Sequence, residues 1–258
     1  MTELQGKVAV VTGAGGGIGR ATSLELARGG ASLVLVDVDE RTLTETEEAV
    51  RQTGAAVLSV RADVSRSEDV RHYVSAAIDE FGRIDVFFNN AGVEGPIADL
   101  VDYPEEEFER VYATNLRGVF LGLKYVLAVM LEQGSGSIIN TASLAAHVGL
   151  ATSSGYVASK HGVLGLTRTA AVEVGGRGVR VNAVSPGVID TRMTRALAEA
   201  FSKENPSARW DDMLASFPIK RMGTPEEIAA VVRFLASDAA SYVNGAAWSV
   251  DGGTLASR

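Results

Sequence analysis

Cysteine is absent from the 258 residues, which excludes disulfides, thiol chemistry and cysteine-ligated metal sites. The three histidines, His72, His147 and His161, do not have the spacing of metal ligands, so we expect no metal. Cations are in the minority, with 24 Lys and Arg against 32 Asp and Glu, and no basic run occurs. Charge therefore argues against nucleic acid and membrane surfaces as partners, because phosphate contacts need clustered cations. No stretch is as uniformly apolar as the ~20 residues of a membrane span. We expect a cytoplasmic protein.

Short apolar runs rich in valine alternate with segments of helical periodicity along the whole chain. The runs predict strands at 7–12, 32–37, 56–61, 84–88, 137–141, 179–184 and 248–250. The periodic segments predict helices at 18–28, 39–52, 67–81, 104–131, 156–174 and 225–236, with Ser67 and Thr224 as N-caps, and a polar helical segment at about 191–217 interrupted by Pro206. This alternation predicts one α/β domain over 1–258, a doubly wound parallel sheet of about seven strands with helices on both faces.

A glycine-rich turn, TGAGGGIG at residues 12–19, lies between the first strand and the first helix. Dinucleotide-binding sheets of the Rossmann type place their phosphate turn at this point. Gly13 permits the tight turn, Gly17 lets the backbone approach a pyrophosphate, and Gly19 lets helix and strand pack closely. The helix that begins near Ile18 offers free N–H groups and the positive end of its dipole to phosphate. The alternative is a glycine-containing turn without a ligand.

Asp37 ends the second predicted strand, 18 residues after Gly19. An acid about 20 residues after the glycine turn binds the adenosine ribose hydroxyls in this kind of site. Its carboxylate would repel a 2′-phosphate, and neither Val38 nor residues 14–16 supply a cation to offset that repulsion. We therefore expect NAD rather than NADP. A solvated acid at a strand end is the alternative.

Tyr156 and Lys160 are four residues apart on one face of a predicted helix. A free tyrosine titrates near pH 10, and a nearby ammonium favours the phenolate and lowers that pKa. A tyrosine with a lowered pKa can donate or accept a proton near neutral pH. The spacing is common by itself, so its interpretation depends on the other motifs.

Further motifs occur in one order with these, namely NNAG at 89–92, Asn115, Ser143 and Pro186-Gly187. Through these motifs together, the chain resembles the short-chain dehydrogenase/reductase family, in its common branch of short members. The resemblance covers essentially the whole chain, from Gly6 to Gly253. The resemblance implies an NAD-dependent oxidoreductase that transfers a hydride between the nicotinamide and an alcohol or ketone.

The resemblance also implies catalytic roles. Tyr156 would exchange the proton with the substrate oxygen, and Lys160 would lower the pKa of Tyr156 and hold the nicotinamide ribose. Ser143 would hydrogen-bond the substrate oxygen, and Asn115 would hold a water that relays protons to Lys160. The alternatives are a turn hydroxyl for Ser143 and a satisfied buried amide for Asn115.

Five more residues contact the cofactor in the arrangement that the resemblance implies. Asp63 and Val64 would contact the adenine. Asn90 would reach the adenosine ribose and help to fix a strand end. Ile189 and Thr191 would contact the carboxamide and the phosphate of the nicotinamide half.

The substrate pocket is expected beyond the carboxyl ends of the strands. We expect it to be lined by mostly apolar residues: Glu94, Leu144, His147, Val148, Ile189 and Met193. These favour a neutral alcohol or ketone of modest size, while His147 is better explained as a loop residue. The stretches 91–95, 116–124 and 154–163 resemble family members that act on cyclic secondary alcohols and ketones, levodione-reductase-like enzymes among them. The segment 191–217 is either a mobile lid or a helical pair packed on the body.

Family members are usually homotetramers, which implies pairing through the helices near 105–131 and 154–175. Small residues on the second helix would allow close approach: Ala158, Gly162, Gly165 and Ala170. Two other functions remain open. One is an NAD-binding regulatory or scaffold protein without catalysis. The other is an epimerase or dehydratase that keeps its NAD bound.

Overall fold

Seven parallel strands form one sheet in the computed structural model, which describes residues 3–204 and 210–257. The strands are β1 Val8–Thr12, β2 Ser32–Asp37, β3 Val57–Arg61, β4 Val86–Asn89, β5 Gly136–Thr141, β6 Val179–Pro186 and β7 Ala247–Val250. Their order is β3-β2-β1-β4-β5-β6-β7, and every neighbouring pair is parallel. The order reverses between β1 and β4, where sheets of this type bind ligands. The predicted doubly wound sheet is confirmed.

Helices cover both faces of the sheet. They are α1 Gly17–Arg28, α2 Glu40–Arg51, α3 Ser67–Phe81, α4 Glu105–Tyr112, α5 Gly118–Gln133, α6 Ser154–Val174, α7 Arg192–Glu204, α8 Trp210–Ala215 and α9 Pro225–Ala236. The pairs Phe87 and Phe88 on β4, and Ile138 and Ile139 on β5, are fully buried on opposite faces. One face packs on α3, α5 and α6, and the other on α1, α2 and α9. Because both faces are covered, the strands are continuous apolar runs without alternation.

Two details of the predicted helices differ from the structure. Ser67 is the first residue of α3 and Arg66 is at the N-cap, so the predicted Ser67 cap is wrong. The Ser67 hydroxyl instead hydrogen-bonds the Tyr125 hydroxyl at 2.8 Å. The predicted helix 104–131 is two helices joined by one π-helical turn at Ala113–Arg117. The Thr224 cap is confirmed as a capping box with Glu227.

By length and composition, Glu105–Gln133 could cross a membrane, but half of its most apolar window is buried in the fold. Its buried residues belong to the core between α5 and the sheet. The predicted segment 191–217 contains α7 and α8, and Pro206 lies outside the described residues.

Candidate active site

The glycine turn between β1 and α1 has the geometry of an anion site. Gly13 and Gly17 have φ angles of +66° and +50°, which favour glycine. A Cβ atom on Gly19 would overlap the carbonyl oxygen of Gly13, so helix and strand can approach only with glycine there. Gly16 caps α1 without a side-chain hydrogen bond, and a Cβ at this position would have no atom within 4 Å. The first turn of α1 is thus free to receive a phosphate.

Asp37 connects the end of β2 to this turn. Its Oδ2 accepts a 2.8 Å hydrogen bond from the Gly15 N–H, and its Oδ1 accepts one of 3.1 Å from the Asp39 N–H. The carboxylate is only partly buried, at the edge of the crevice. It is therefore held in place by the main chain and remains able to accept bonds from ribose hydroxyls.

Asn90 holds three strand ends together at the crevice. Its Nδ2 donates to the carbonyl of Thr12 at 3.0 Å, and its Oδ1 accepts from the Thr141 hydroxyl at 3.1 Å. Thr12 ends β1, Asn90 follows β4, and Thr141 ends β5. The predicted strand-fixing role of Asn90 is therefore seen directly.

After β3, Asp63 and Val64 have structural contacts of their own. The Asp63 carboxylate accepts hydrogen bonds from the N–H and hydroxyl of Ser65, at 2.9 and 2.7 Å. Val64 is 7% exposed and packs against Gly118 at the start of α5. The turn fixes both residues beside the crevice, where their predicted adenine contacts stay predictions.

The loop after β6 folds back over the glycine turn. Ile189 is buried and pairs with Gly223, and the Thr191 methyl would lie 3.2 Å from a Cβ added at Gly17. A cavity of about 520 Å³ separates this loop and α7 from the turn, and it is lined by Gly17, Asp190, Thr191, Arg192, Arg195, Ala196 and Glu199. The cavity reaches Gly17 of the glycine turn, where the phosphates of a dinucleotide would bind.

Tyr156 and Lys160 lie together on α6, as predicted, with Nζ of Lys160 5.6 Å from the centre of the Tyr156 ring. Lys160 is 3% exposed and donates a 2.8 Å hydrogen bond to the carbonyl of Thr141. Ser143 begins the short 3₁₀ turn after β5 and accepts a hydrogen bond from the Ala145 N–H at 3.1 Å. Its side chain also lies near enough to Tyr156 to lower the pKa of that hydroxyl. The structure thus brings Ser143, Tyr156 and Lys160 to one point.

The electrostatics differ from the simple expectation of the Tyr-x-x-x-Lys spacing. Burial raises the pKa of Tyr156, the Ser143 hydrogen bond lowers it, and the negative charge of Glu94 raises it further. Burial also lowers the pKa of Lys160 to about 8. The net shift of Tyr156 is therefore upward, opposite to the predicted lowering, because desolvation disfavours the charged form of both groups.

Asn115 lies in the π-helical turn and is fully buried. Its Oδ1 accepts from the Val93 N–H at 2.8 Å and its Nδ2 donates to the Val93 carbonyl at 2.9 Å. The same Nδ2 lies 3.3 Å from the Ser159 hydroxyl, which donates to the carbonyl of Tyr156 at 2.7 Å. The amide therefore connects the loop after β4 with α6. Single π-helical turns are frequent at functional sites.

Sequence reasoning missed two residues that shape this centre. Thr141 supplies the carbonyl that holds Lys160, and a main-chain acceptor leaves no signal in side-chain motifs. Tyr103 packs its hydroxyl against Gly155, next to Tyr156. Of the expected pocket residues, His147 is exposed and bonds the Ser185 hydroxyl at 3.0 Å, which favours the loop alternative.

Comparison with known proteins agrees with this arrangement. A family model described as Enoyl-(Acyl carrier protein) reductase matches residues 13–254. Levodione reductase from Leifsonia aquatica is 48% identical over 257 residues, covering 99% of this chain and 96% of that protein. Cyclohexanol dehydrogenase from Acinetobacter sp. (strain SE19) is 39% identical over 246 residues, covering 95% of this chain and 94% of the relative.

Solved structures match over the same extent. The crystal structure of levodione reductase has a TM-score of 0.96 at 47% identity, covering 99% of this chain and 100% of the other. That of NAD⁺-bound xylitol dehydrogenase has a TM-score of 0.94 at 38% identity, covering 97% and 100%. The chain belongs to the short-chain dehydrogenase/reductase family, whose members are oxidoreductases that use a nicotinamide cofactor.

Proposed function

We propose that this chain is an NAD-dependent dehydrogenase/reductase that interconverts a neutral secondary alcohol, including cyclic ones, and its ketone. The observation that carries the proposal is the convergence of Ser143, Tyr156 and Lys160 at the crevice that also contains the glycine turn. The whole chain, 1–258, acts as one NAD-binding catalytic domain in this proposal.

When bound, the nicotinamide supplies the hydride acceptor or donor, and the protein supplies position and a proton path. Tyr156 takes the hydroxyl proton in oxidation and returns it to the carbonyl oxygen in reduction. Ser143, held by the Ala145 N–H, donates to the substrate oxygen and stabilises charge that develops on it. Lys160 favours the phenolate when it is protonated and holds the nicotinamide ribose.

Asn115 has a positioning role that its hydrogen bonds support. It fixes the loop after β4 against α6 through Val93 and Ser159. In the proposed reaction it also holds the water through which protons reach Lys160. In this proposal six further residues complete the cofactor site: Ile18, Asp63, Val64, Asn90, Ile189 and Thr191.

The preference for NAD rests on charge. A 2′-phosphate would meet the Asp37 carboxylate at the end of β2, and like charges close together cost free energy. The neighbouring Val38 is 60% exposed and offers no cation.

The substrate class rests on the relatives and the pocket. Levodione reductase and cyclohexanol dehydrogenase are named for cyclic compounds, and they match this chain almost end to end. Leu144 and Ile189 are buried apolar residues beside Ser143 and the cofactor loop. These support a neutral cyclic alcohol or ketone.

A cytoplasmic homotetramer is the assembly we propose. Phe108 and Phe120, on α4 and α5, are 40% and 46% exposed, and Val172 on α6 is 86% exposed. Partner subunits would cover these apolar side chains. Only part of the predicted small-residue stripe on α6 faces outward, because Gly162 packs on Leu116 and Ala170 is buried.

The test follows NADH formation by its near-ultraviolet absorbance, with NAD or NADP and a panel of linear and cyclic secondary alcohols. Tyr156→Phe is the control, because it removes only the hydroxyl. We expect NAD-dependent turnover of cyclic alcohols that the variant loses while it still binds NAD. NAD binding without turnover of any alcohol would favour a regulatory or scaffold protein, and copurified NAD without net NADH formation would favour an epimerase or dehydratase.

A further inference from the structure

The loop that follows β4 runs directly along the proposed catalytic centre. A Cβ atom added at Gly92 would lie 3.2 Å from Oδ1 of Asn115 and 3.6 Å from Nζ of Lys160. The next residue, Val93, is held by both hydrogen bonds to the Asn115 amide. The main chain that carries Glu94 is therefore fixed at the edge of the site.

The far side of this loop is fixed as well. The carbonyl of Glu94 accepts a 3.0 Å hydrogen bond from the guanidinium of Arg110 on α4. Gly95 packs against the Tyr103 hydroxyl, which would also lie 2.9 Å from a Cβ on Gly155. Since Gly155 precedes Tyr156, Tyr103 sets the distance between the Glu94 loop and the start of the catalytic helix.

The carboxylate of Glu94 has no hydrogen bond or ion pair within the part of the chain that the structure describes. Arg110, the cation of α4, pairs with Glu107 at 2.8 Å and contacts only the main chain of Glu94. Glu94 is partly buried, and its charge acts on Tyr156. The carboxylate is therefore open to a hydrogen-bond donor on a ligand, and a hydrogen bond to a charged group is stronger than one between neutral groups.

We propose that Glu94 determines specificity at the substrate site: its carboxylate accepts a hydrogen bond from a second hydroxyl of a neutral substrate and repels substrates that carry a carboxylate. The inference rests on the proposed function and names the substrate class of the same site. Tyr156 and Ser143 bind the reacting oxygen, so the second hydroxyl lies toward the loop after β4. A diol or a hydroxyketone carries the required second hydroxyl. A hydroxy acid carries a carboxylate instead, which the Glu94 carboxylate would repel.

Three substrates with the same ring test the proposal: cyclohexanol, cyclohexane-1,4-diol and 4-hydroxycyclohexanecarboxylate. We expect kcat/KM of the protein for the diol to exceed that for cyclohexanol, because the diol adds one charge-assisted hydrogen bond. The value for the carboxylate should be lower than that for cyclohexanol by about tenfold or more, because its charge is repelled. Glu94→Gln keeps the side-chain size and removes the charge. It should raise the carboxylate-to-cyclohexanol ratio about tenfold and reduce the advantage of the diol.

Glu106→Gln is the matched control, because Glu106 is exposed on α4 and its substitution changes the net charge by the same amount. Its substrate ratios should equal those of the unmodified chain.

The pH profile gives a second measurement. Among the described residues, Lys160 on α6 lies over the Tyr156 ring and the charge of Glu94 in the loop acts on it, and Arg110 of α4 contacts the main chain of Glu94 and pairs with Glu107. Loss of the Glu94 charge should move the acidic limb of cyclohexanol oxidation to lower pH.

Unchanged substrate ratios in Glu94→Gln, with oxidation of cyclohexanol intact, would overturn this inference and leave the proposed function standing. Equal turnover of the carboxylate and cyclohexanol by the unmodified chain would overturn it too. If the unmodified chain oxidises no alcohol at all, the proposed function fails and the inference fails with it.

Discussion

The side-chain amine of Lys160 donates a 2.8 Å hydrogen bond to the main-chain carbonyl of Thr141, which ends β5. This bond holds the amine in the sheet crevice and 5.6 Å from the centre of the Tyr156 ring. Because the site is buried, the pKa of Lys160 falls to about 8 while that of Tyr156 is raised. The protonation state of the pair should therefore set the pH dependence of the rate in each direction of the proposed reaction.

A raised pKa keeps Tyr156 protonated at neutral pH, so the hydroxyl is ready to donate a proton to a ketone. Alcohol oxidation needs the phenolate, so its kcat/KM should rise with pH from neutral into the alkaline range. Ketone reduction should instead be favoured toward lower pH. The measurement is the pH profile of kcat/KM in both directions with one alcohol–ketone pair. An acidic limb of oxidation with an apparent pKa below that of a free tyrosine, about 10, would contradict the prediction.

Replacement of Asn115 by leucine should damage both stability and activity. The variant leaves the N–H and carbonyl of the partly buried Val93 without these partners, which costs at most about 1–3 kcal/mol of unfolding free energy for each group. The loop that carries Glu94 would also lose its anchor, so kcat should fall. Thermal denaturation and steady-state kinetics measure the two effects. Ser159→Ala is the control, since it removes the 3.3 Å contact of the same amide and the bond of Ser159 to the Tyr156 carbonyl but leaves both Val93 bonds intact. Equal losses in both variants would argue against a role for the Val93 pair.

The fold could be predicted because its strands are covered on both faces. Such strands are continuous apolar runs, and Val10, Phe87 and Ile138 are all fully buried in them. The end of β6 could not be predicted, since Ser185 and Pro186 are in the strand only through pairing with β7, and neither residue carries a strand signal. The predicted Ser67 cap is wrong because its hydroxyl bonds Tyr125, a contact between residues far apart in sequence.

The candidate site could be predicted where its side chains form sequence motifs. It could not be predicted where main-chain groups hold those side chains. Tyr156, Lys160 and Ser143 meet as their pattern implies. The π-helical turn at Asn115 could not be seen, because apolar periodicity continues through it and its amide binds a main chain that comes from another element. The direction of the Tyr156 pKa shift depends on burial, which sequence spacing does not give.

Two glycines of the phosphate turn should separate the requirements of the fold from those of the cofactor. Gly19→Ala places a methyl group against the carbonyl of Gly13, so the melting temperature and NAD binding should both fall. Gly16→Ala meets no atom within 4 Å and has an extended φ of −163°, so its melting temperature should stay unchanged. If the open space above Gly16 receives the pyrophosphate, this variant should still weaken NAD binding. Thermal denaturation and NAD titration test the pair, and a large loss of stability in Gly16→Ala would contradict the assignment.

Asp37 and Val38 should control the choice between NAD and NADP. An Asp37→Asn,Val38→Arg double variant keeps an oxygen to accept the Gly15 N–H, removes the negative charge and adds a cation at a position that is 60% exposed. Asparagine is preferable to alanine because alanine would leave the Gly15 N–H without its acceptor. We expect the ratio of kcat/KM for NADP over NAD to rise at least tenfold, which corresponds to about 1.4 kcal/mol. Val38→Arg alone keeps the carboxylate and should gain less. If the double variant retained the ratio of the unmodified chain, repulsion by Asp37 could not be the source of the preference, and the adenosine ribose would have to lie elsewhere along the end of β2.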